Sequence, residues 1–338
     1  MTDWLPPLLL GPGWGLISQL LPCPLAAGWT VQQDLPLPAP GGGYSAIQIE
    51  PATHRVWLLS DLPEGELSSW TLPLEGRQPR RIRSLQLQVP PSVTQQLDSE
   101  GLVIEADQAW IATEGRRSPE REPQLLRFSL SNGNLQASFP LPPAWQQGLE
   151  SNAGPESLAR LSRSSEPLAL LMAAERPLRQ DPANQVRLLR WHWPAGRDPQ
   201  RDPPETSEQG ALAAPAGGDW GLTDLVVLHP AGPQPPLLLT LWRRYQDPLQ
   251  WSNQLRLYRL PRAQNLEQPL QQWDLQTSGL TPENWEGLSM GPTLSPGQPS
   301  LMLVSDDNRN PFQTTRLALL RPRRSSQCTP EQAGSERR

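Results

Sequence analysis

Acidic residues return along this chain in one local setting, each time opening a short apolar run. Glu100 sits in Ser99-Glu100-Gly101-Leu102, Glu156 in Pro155-Glu156-Ser157-Leu158, Asp224 in Leu222-Thr223-Asp224-Leu225 and Glu286 in Trp285-Glu286-Gly287-Leu288. An acid-free version is Tyr44-Ser45-Ala46-Ile47. Many of these runs close on a second acid, at Asp61, Glu114, Glu175 and Asp306, while the fourth closes at Trp242. Carboxylates carried at one end of successive strands would form a ring about an axis. Their mutual repulsion falls when a hard cation binds, and oxygen ligands suit Ca²⁺ or Mg²⁺. Glu100, Glu156, Asp224 and Glu286 are the expected metal ligands, with Ca²⁺ as the first expectation. The structural alternative is that each carboxylate accepts turn amides and holds its strand in register.

The densest polar cluster is Asp306-Asp307-Asn308-Arg309-Asn310. Glu286, Asp306 and Arg309 are the candidates for the chemical step. Arg116, Arg176 and Asn308 are the candidates for holding substrate, because a guanidinium fork matches phosphate or carboxylate oxygens. Such a constellation points to metal-assisted hydrolysis of an anionic phosphoester or carboxylic ester. The rival reading is a noncatalytic propeller, stiffened by calcium, whose open face binds a ligand or protein.

Other chemistries lack their residues. All 29 basic side chains are arginine, so lysine-dependent Schiff-base and P-loop mechanisms are excluded. With 34 acidic side chains against those 29, the chain has no general nucleic-acid surface. There is no Gly-x-Ser-x-Gly elbow and no Gly-x-Gly-x-x-Gly. His54, His192 and His229 lack zinc-ligand spacing, and Cys23 and Cys328 lie near opposite ends. No apolar run of 18 residues without breakers spans a membrane.

The elements that would position the acids are short strands. The 42 prolines and 25 glycines leave little room for long helices, so the class is all-β. From Ser45 through Glu100, Glu156 and Asp224 to Glu286 the steps are 55, 56, 68 and 62 residues, a repeat. Within one step, Gly101–Glu105, Ala109–Thr113, Gln124–Ser129 and Leu135–Phe139 read as four strands joined by short turns. That is the anatomy of an antiparallel propeller blade. Five modules are visible. Six blades around a central channel are expected if the strands after Asp61 separate and Trp29–Leu35 pairs with the C-terminal region; five is the alternative. Arg197–Gly210 reads as a polar loop. The tryptophans read as packing between blades, with Trp285 the one expected at the mouth. Residues 1–27 read as a signal peptide or an apolar extension, 28–322 as one propeller domain and 323–338 as a polar tail. The expected product is a monomer, periplasmic or secreted if the first segment is an export signal and cytoplasmic otherwise.

The motifs together resemble one family. Asp98-Ser99-Glu100-Gly101-Leu102 with Thr113-Glu114-Gly115, Asn152-Ala153-Gly154-Pro155-Glu156-Ser157-Leu158 with Glu175, and Asn284-Trp285-Glu286-Gly287-Leu288 with Leu303-Val304-Ser305-Asp306-Asp307-Asn308 and Gln313-Thr314-Thr315 resemble the esterase-like activity of phytase family. The resemblance covers roughly residues 40–322. It implies a phytase-like β-propeller, usually exported, with a phosphoesterase or esterase-like activity, and Glu100, Glu156, Glu286 and Asp306 match the family's acids. Ser45 and Trp242 depart from the acidic pattern. The lysine-rich phosphate sites of β-propeller phytases have no counterpart here, which points away from phytate itself.

Overall fold

The computed structural model describes residues 28–323 apart from 39–41, 51–52, 54, 73–76, 116–122, 231–233, 247, 249, 264 and 295–298. Among these, Tyr44–Glu50 (β2), Arg55–Ser60 (β3), Glu66–Thr71 (β4) and Arg81–Gln86 (β5) form the first four-stranded antiparallel sheet. Ser99–Glu105 (β6), Gln108–Thr113 (β7), Gln124–Ser129 (β8) and Leu135–Pro140 (β9) form the second. A one-turn helix, Pro143–Gly148 (α1), buries Trp145 and leads to the third. That sheet is Pro155–Arg160 (β10), Ala169–Ala174 (β11), Gln185–His192 (β12) and Glu205–Ala213 (β13), with Leu266–Glu267 (β17) added in parallel at its edge. The fourth is Trp220–Leu228 (β14), Leu237–Gln246 (β15), Gln250–Arg259 (β16) and Gln271–Asp274 (β18). The fifth is Asn284–Met290 (β19), Leu301–Asp306 (β20) and Arg316–Pro322 (β21), completed by the N-terminal strand Trp29–Pro36 (β1).

The propeller therefore has five blades, not six. The pairing of Trp29–Leu35 with the C-terminal region does form, but as the outer strand of blade 5 against Arg316–Pro322. The strands after Asp61 stay in blade 1 as β4 and β5. Each feature invoked for a sixth blade is used to complete a four-stranded one. The innermost strands β2, β6, β10, β14 and β19 pack each on the next, and β19 packs on β2, so the ring closes and leaves no inner edge unpaired. The expected loop 197–210 also differs: Glu205–Ala213 is the outer strand of blade 3. Residues 205–208 are exposed, so no apolar alternation marks them as strand.

Strand periodicity places the core. Successive side chains leave a strand on opposite faces, so a blade's middle strands feed the seams on both sides. In β11, Leu170, Met172 and Ala174 pack toward blade 2, whereas Leu171 and Ala173 pack toward blade 4. Five hydrophobic clusters result, one for each seam between neighbouring blades. Trp57, Trp110, Trp191 and Trp242 lie in these seams, as packing requires. Trp285 does not face the mouth. It is fully buried between blades 4 and 5, and its Nε1 donates to the Thr281 carbonyl at 2.8 Å.

Candidate metal centre

Each innermost strand carries a β-bulge at its first turn against its partner. The residue without a Cα partner is Ser45, Glu100, Glu156, Thr223 and Glu286 in blades 1 to 5. A bulge sets two residues opposite one and re-aims a side chain. The repeated acid read from the sequence is this bulge residue in blades 2, 3 and 5. The residue that follows the bulge must sit against the next blade. A Cβ on Gly101 would lie 2.6 Å from the Leu158 nitrogen, and one on Gly287 would lie 2.9 Å from the Ile47 nitrogen. The recurrent Glu-Gly pair is thus an acid for the channel and a glycine for the seam.

Blades 1 and 4 replace the acid with a hydroxyl. Ser45 Oγ donates to the Ser99 carbonyl at 2.5 Å, and Thr223 Oγ1 donates to the Trp285 carbonyl at 3.4 Å. In both cases the acceptor is the residue just before the neighbouring blade's bulge acid. The acid-free first module therefore has a counterpart in blade 4, and Asp224 falls one residue past the bulge. Its Oδ1 accepts the Leu225 amide at 2.8 Å and its Oδ2 accepts the Leu288 amide at 2.6 Å. Burial pushes the Asp224 carboxyl well above its ordinary value, opposed by those two amides. It lines a 350 Å³ cavity with Gln48, Leu102, Leu158 and Ser289, a lining that includes Glu105 but not Glu100, Glu156 or Glu286. The amide-holding reading fits Asp224. Asp224→Asn is expected to destabilise the fold by about 1–3 kcal/mol, because one buried amide loses its acceptor. Cation affinity should stay unchanged, which calorimetric titration beside urea unfolding will check.

The second strand of each blade passes through one common level. Asp61, Glu114, Glu175, Arg243 and Asp306 follow Ser60, Thr113, Ala174, Trp242 and Ser305, which pair with the residue preceding each bulge. Blade 4 therefore closes on Arg243, not on Trp242. Asp98, which precedes β6, joins the same level. Asp61, Asp98, Glu100, Glu114, Glu156, Glu175, Glu286 and Asp306 converge there with the buried guanidinium of Arg243.

Arg243 is committed to one side of this funnel. Its Nη2 lies 3.3 Å from Glu175 Oε1, and its Nη1 donates to Glu286 Oε1 and Asn284 Oδ1. Asn284 Nδ2 also donates to Glu286 Oε1, at 2.8 Å. Burial works against the guanidinium, but Glu286, Glu175, Glu156 and Glu100 outweigh it and hold it charged. Glu286 thus sits in the funnel as the ion-pair partner of Arg243; burial still raises its carboxyl despite that pair.

The acids of blades 2 and 3 gather on the other side. Asp98, Glu100 and Glu114 bring one oxygen each within 4.8 Å of one another, and so do Glu114, Glu156 and Glu175. Glu114 belongs to both groups, and its Oε1 also accepts the Gly154 amide at 3.1 Å. Glu100 and Glu156 are 8% and 6% exposed, and no described residue donates a hydrogen bond to either carboxylate. Burial, then the neighbouring acids, push both carboxyls well above their ordinary values, Glu156 being partly relieved by Arg243. Asp306 is raised in the same way, and its buried Oδ1 has no partner among the described residues. Burial, Glu286 and Asp98 raise Asp61 to about 7. Buried carboxylate oxygens gathered in groups of three suit a hard divalent cation.

The structure brings Glu100, Glu156, Glu286 and Asp306 together and leaves Asp224 outside. Arg116 lies outside the described residues. Arg309 and Asn308 occupy the mouth loop after Asp306, both with positive φ; Arg309 lies near enough to Asp61 to lower its pKa, and the Arg309 amide donates to Asp307 Oδ1 at 3.0 Å. Arg176 sits at the rim, its Nε 3.6 Å from Glu175 Oε2. The ligand set read from the sequence lacked Asp98, Glu114 and Glu175. The closing-acid repeat carried a signal for the last two.

The family described as Phytase-like, esterase-like activity of phytase, has a model that matches residues 39–309 of this chain. No curated protein matches the sequence. Among solved structures, an endo-arabinase from Bacteroides thetaiotaomicron VPI-5482 superposes with a TM-score of 0.50 at 10% identity, covering 89% of this chain and 99% of that one. RS223 β-xylosidase gives 0.47 at 11% identity over 86% and 94%, and U3-55K gives 0.42 at 9% identity over 88% and 100%. These likenesses concern the fold alone.

Proposed function

From the chain's membership of the phytase-like family, whose model spans residues 39–309, we propose that it is a divalent-cation-dependent hydrolase of anionic esters, acting at the propeller mouth. The observation that carries this reading is the pair of overlapping carboxylate groups, Asp98–Glu100–Glu114 and Glu114–Glu156–Glu175. A cation bound there supplies Lewis-acid polarisation of an ester oxygen and a lowered pKa for attacking water. Glu100 and Glu156 offer oxygens to which no described residue donates a hydrogen bond. Arg243 fixes Glu175 and Glu286 and offsets part of their charge. Asp61, raised to about 7, is the proton carrier, since an acid poised near neutrality both gives and takes a proton; Asp306, raised by burial and its neighbours, adds a buried Oδ1 to which no described residue donates. Arg309, on the loop beside Asp61, offsets developing negative charge.

One observation also favours the binding-module reading. The Glu114–Glu156–Glu175 group spans the seam between blades 2 and 3, so a cation there would stiffen the ring whatever else it does. Turnover of phosphomonoesters and carboxylic esters by the chelator-treated protein, with and without added Ca²⁺ or Mg²⁺, separates the two. Cation-dependent release of product is expected. Tight cation binding with no turnover across the panel would establish the noncatalytic propeller instead.

A further inference from the structure

Blade 4 is built differently at the mouth. Its second and third strands, β15 and β16, are 10 residues long, against 6 residues for β3, β4, β7 and β8 in blades 1 and 2. The extra pairs Arg244↔Ser252, Tyr245↔Trp251 and Gln246↔Gln250 lie beyond Arg243, so the hairpin rises above the level of the acids. Tyr245 and Trp251 lie side by side on it, with ring centroids 4.8 Å apart and planes tilted by 50°. Tyr245 is 44% exposed, although a ring costs free energy in water. Only two other large apolar side chains are comparably exposed among the described residues, Ile82 and Phe312, and Phe312 occupies the mouth loop of blade 5.

Beneath this hairpin lies a cavity of 290 Å³, bounded by Tyr245, Trp251, Arg176, Asp219, Glu175 and Arg243. Glu175 connects it to the funnel, because the same carboxylate belongs to the Glu114–Glu156–Glu175 group. The two guanidinium groups differ in availability. Arg243 is occupied by Glu175, Glu286 and Asn284. Arg176 touches Glu175 only through Nε, and its terminal nitrogens donate to no described residue. Its side chain is 43% exposed. The cavity's described lining thus offers one available fork, an aromatic wall of two tilted rings and the Asp219 carboxylate, which repels a second negative group.

We propose that this cavity is the substrate-recognition subsite, and that it takes an ester with a single anionic group and a flat ring, an aryl phosphomonoester being the model case. The anionic group lies on Arg176, facing the cation groups, and the ring lies against Tyr245 and Trp251. A polyphosphorylated substrate is disfavoured, because Arg176 is the one guanidinium of the cavity's described lining with terminal nitrogens not engaged by a described residue, and Asp219 and Glu175 oppose further negative charge. The assignment rests on the hydrolase reading for its meaning as a substrate site, but binding can be read without turnover.

Phenylphosphonate, whose carbon–phosphorus bond resists ester hydrolysis, is the probe, with methylphosphonate as its ringless control. Calorimetric titration in the presence of Ca²⁺ should show phenylphosphonate binding several-fold tighter, and Tyr245→Ala should erase that advantage while Tyr245→Phe keeps it. Arg176→Ala should weaken both phosphonates by about tenfold or more, the loss expected for a charge-assisted bond. Tyr245→Ala should leave Ca²⁺ affinity as it was, which also reports an intact fold. Equal binding of the two phosphonates, or unchanged binding in Arg176→Ala, overturns the assignment. Cation-dependent turnover without ring preference would remove the subsite and leave the hydrolase. Ring-dependent binding without turnover would do the reverse.

Discussion

Ca²⁺ added to the chelator-treated protein is expected to stabilise it by about 2.7 kcal/mol once free cation exceeds its dissociation constant a hundredfold. The gain should be larger at pH 8 than at pH 5. Glu100, Glu156 and Asp306 are held well above their ordinary values by burial and by one another, and Asp61 is raised to about 7. The unfolded chain ionises such groups near pH 4. Above that point the cation-free fold holds more protons than the unfolded chain, so its stability falls as pH rises, through about 7 for Asp61. A bound cation replaces those protons. Thermal unfolding between pH 5 and 8, with and without Ca²⁺, reads both effects. Glu114→Gln should weaken the gain most, because Glu114 serves both ligand groups. Asp98→Asn and Glu175→Gln each touch one, so comparing their cation stoichiometries tells whether the groups fill separately. A cation-free stability that stays level from pH 5 to 8 would refute the electrostatic account.

Replacing Arg243 should have the other large effect. Arg243→Met keeps much of the side-chain volume but strips Glu175 and Glu286 of their shared counter-ion. Breaking a buried pair from one side costs about 3–5 kcal/mol, because a charge is left uncompensated. The variant should unfold at clearly lower urea than the parent when cation is absent. Part of the loss should return with Ca²⁺, which can then reach the vacated Glu175–Glu286 flank. Unchanged stability without cation would mean that those two carboxyls share protons and that Arg243 matters little. The position itself is informative. Arg243 stands where blades 1, 2, 3 and 5 carry an acid, so blade 4 brings a built-in cation to the ring.

The module pattern was legible because it is local. Apolar runs bounded by turns, an acid at each end and near-constant spacing all follow from strands that alternate every second residue. Glu100-Gly101 and Glu286-Gly287 recur since each bulge needs both a channel acid and a residue small enough for the seam. The same alternation explains where one-dimensional reading failed. A slip of one residue turns a side chain to the other face, so Asp224 and Thr223 look interchangeable in the chain and are opposite in space. Trp242 and Arg243 differ in the same way.

By itself the amino-acid sequence determined the all-β class, the repeated four-stranded unit, the recurrent carboxylates and the absence of any lysine chemistry. Only the tertiary structure decided that five blades close the ring, because the partner of Trp29–Pro36 lies almost the whole chain away, at Arg316–Pro322. It also decided which acids meet. Asp98, Glu114, Glu156 and Glu175 come from two blades, and whether their charges fall on a guanidinium, an amide or an open channel depends on distances no local pattern encodes. Strand periodicity is a property of neighbours along the backbone, whereas electrostatic balance is a property of neighbours across the ring.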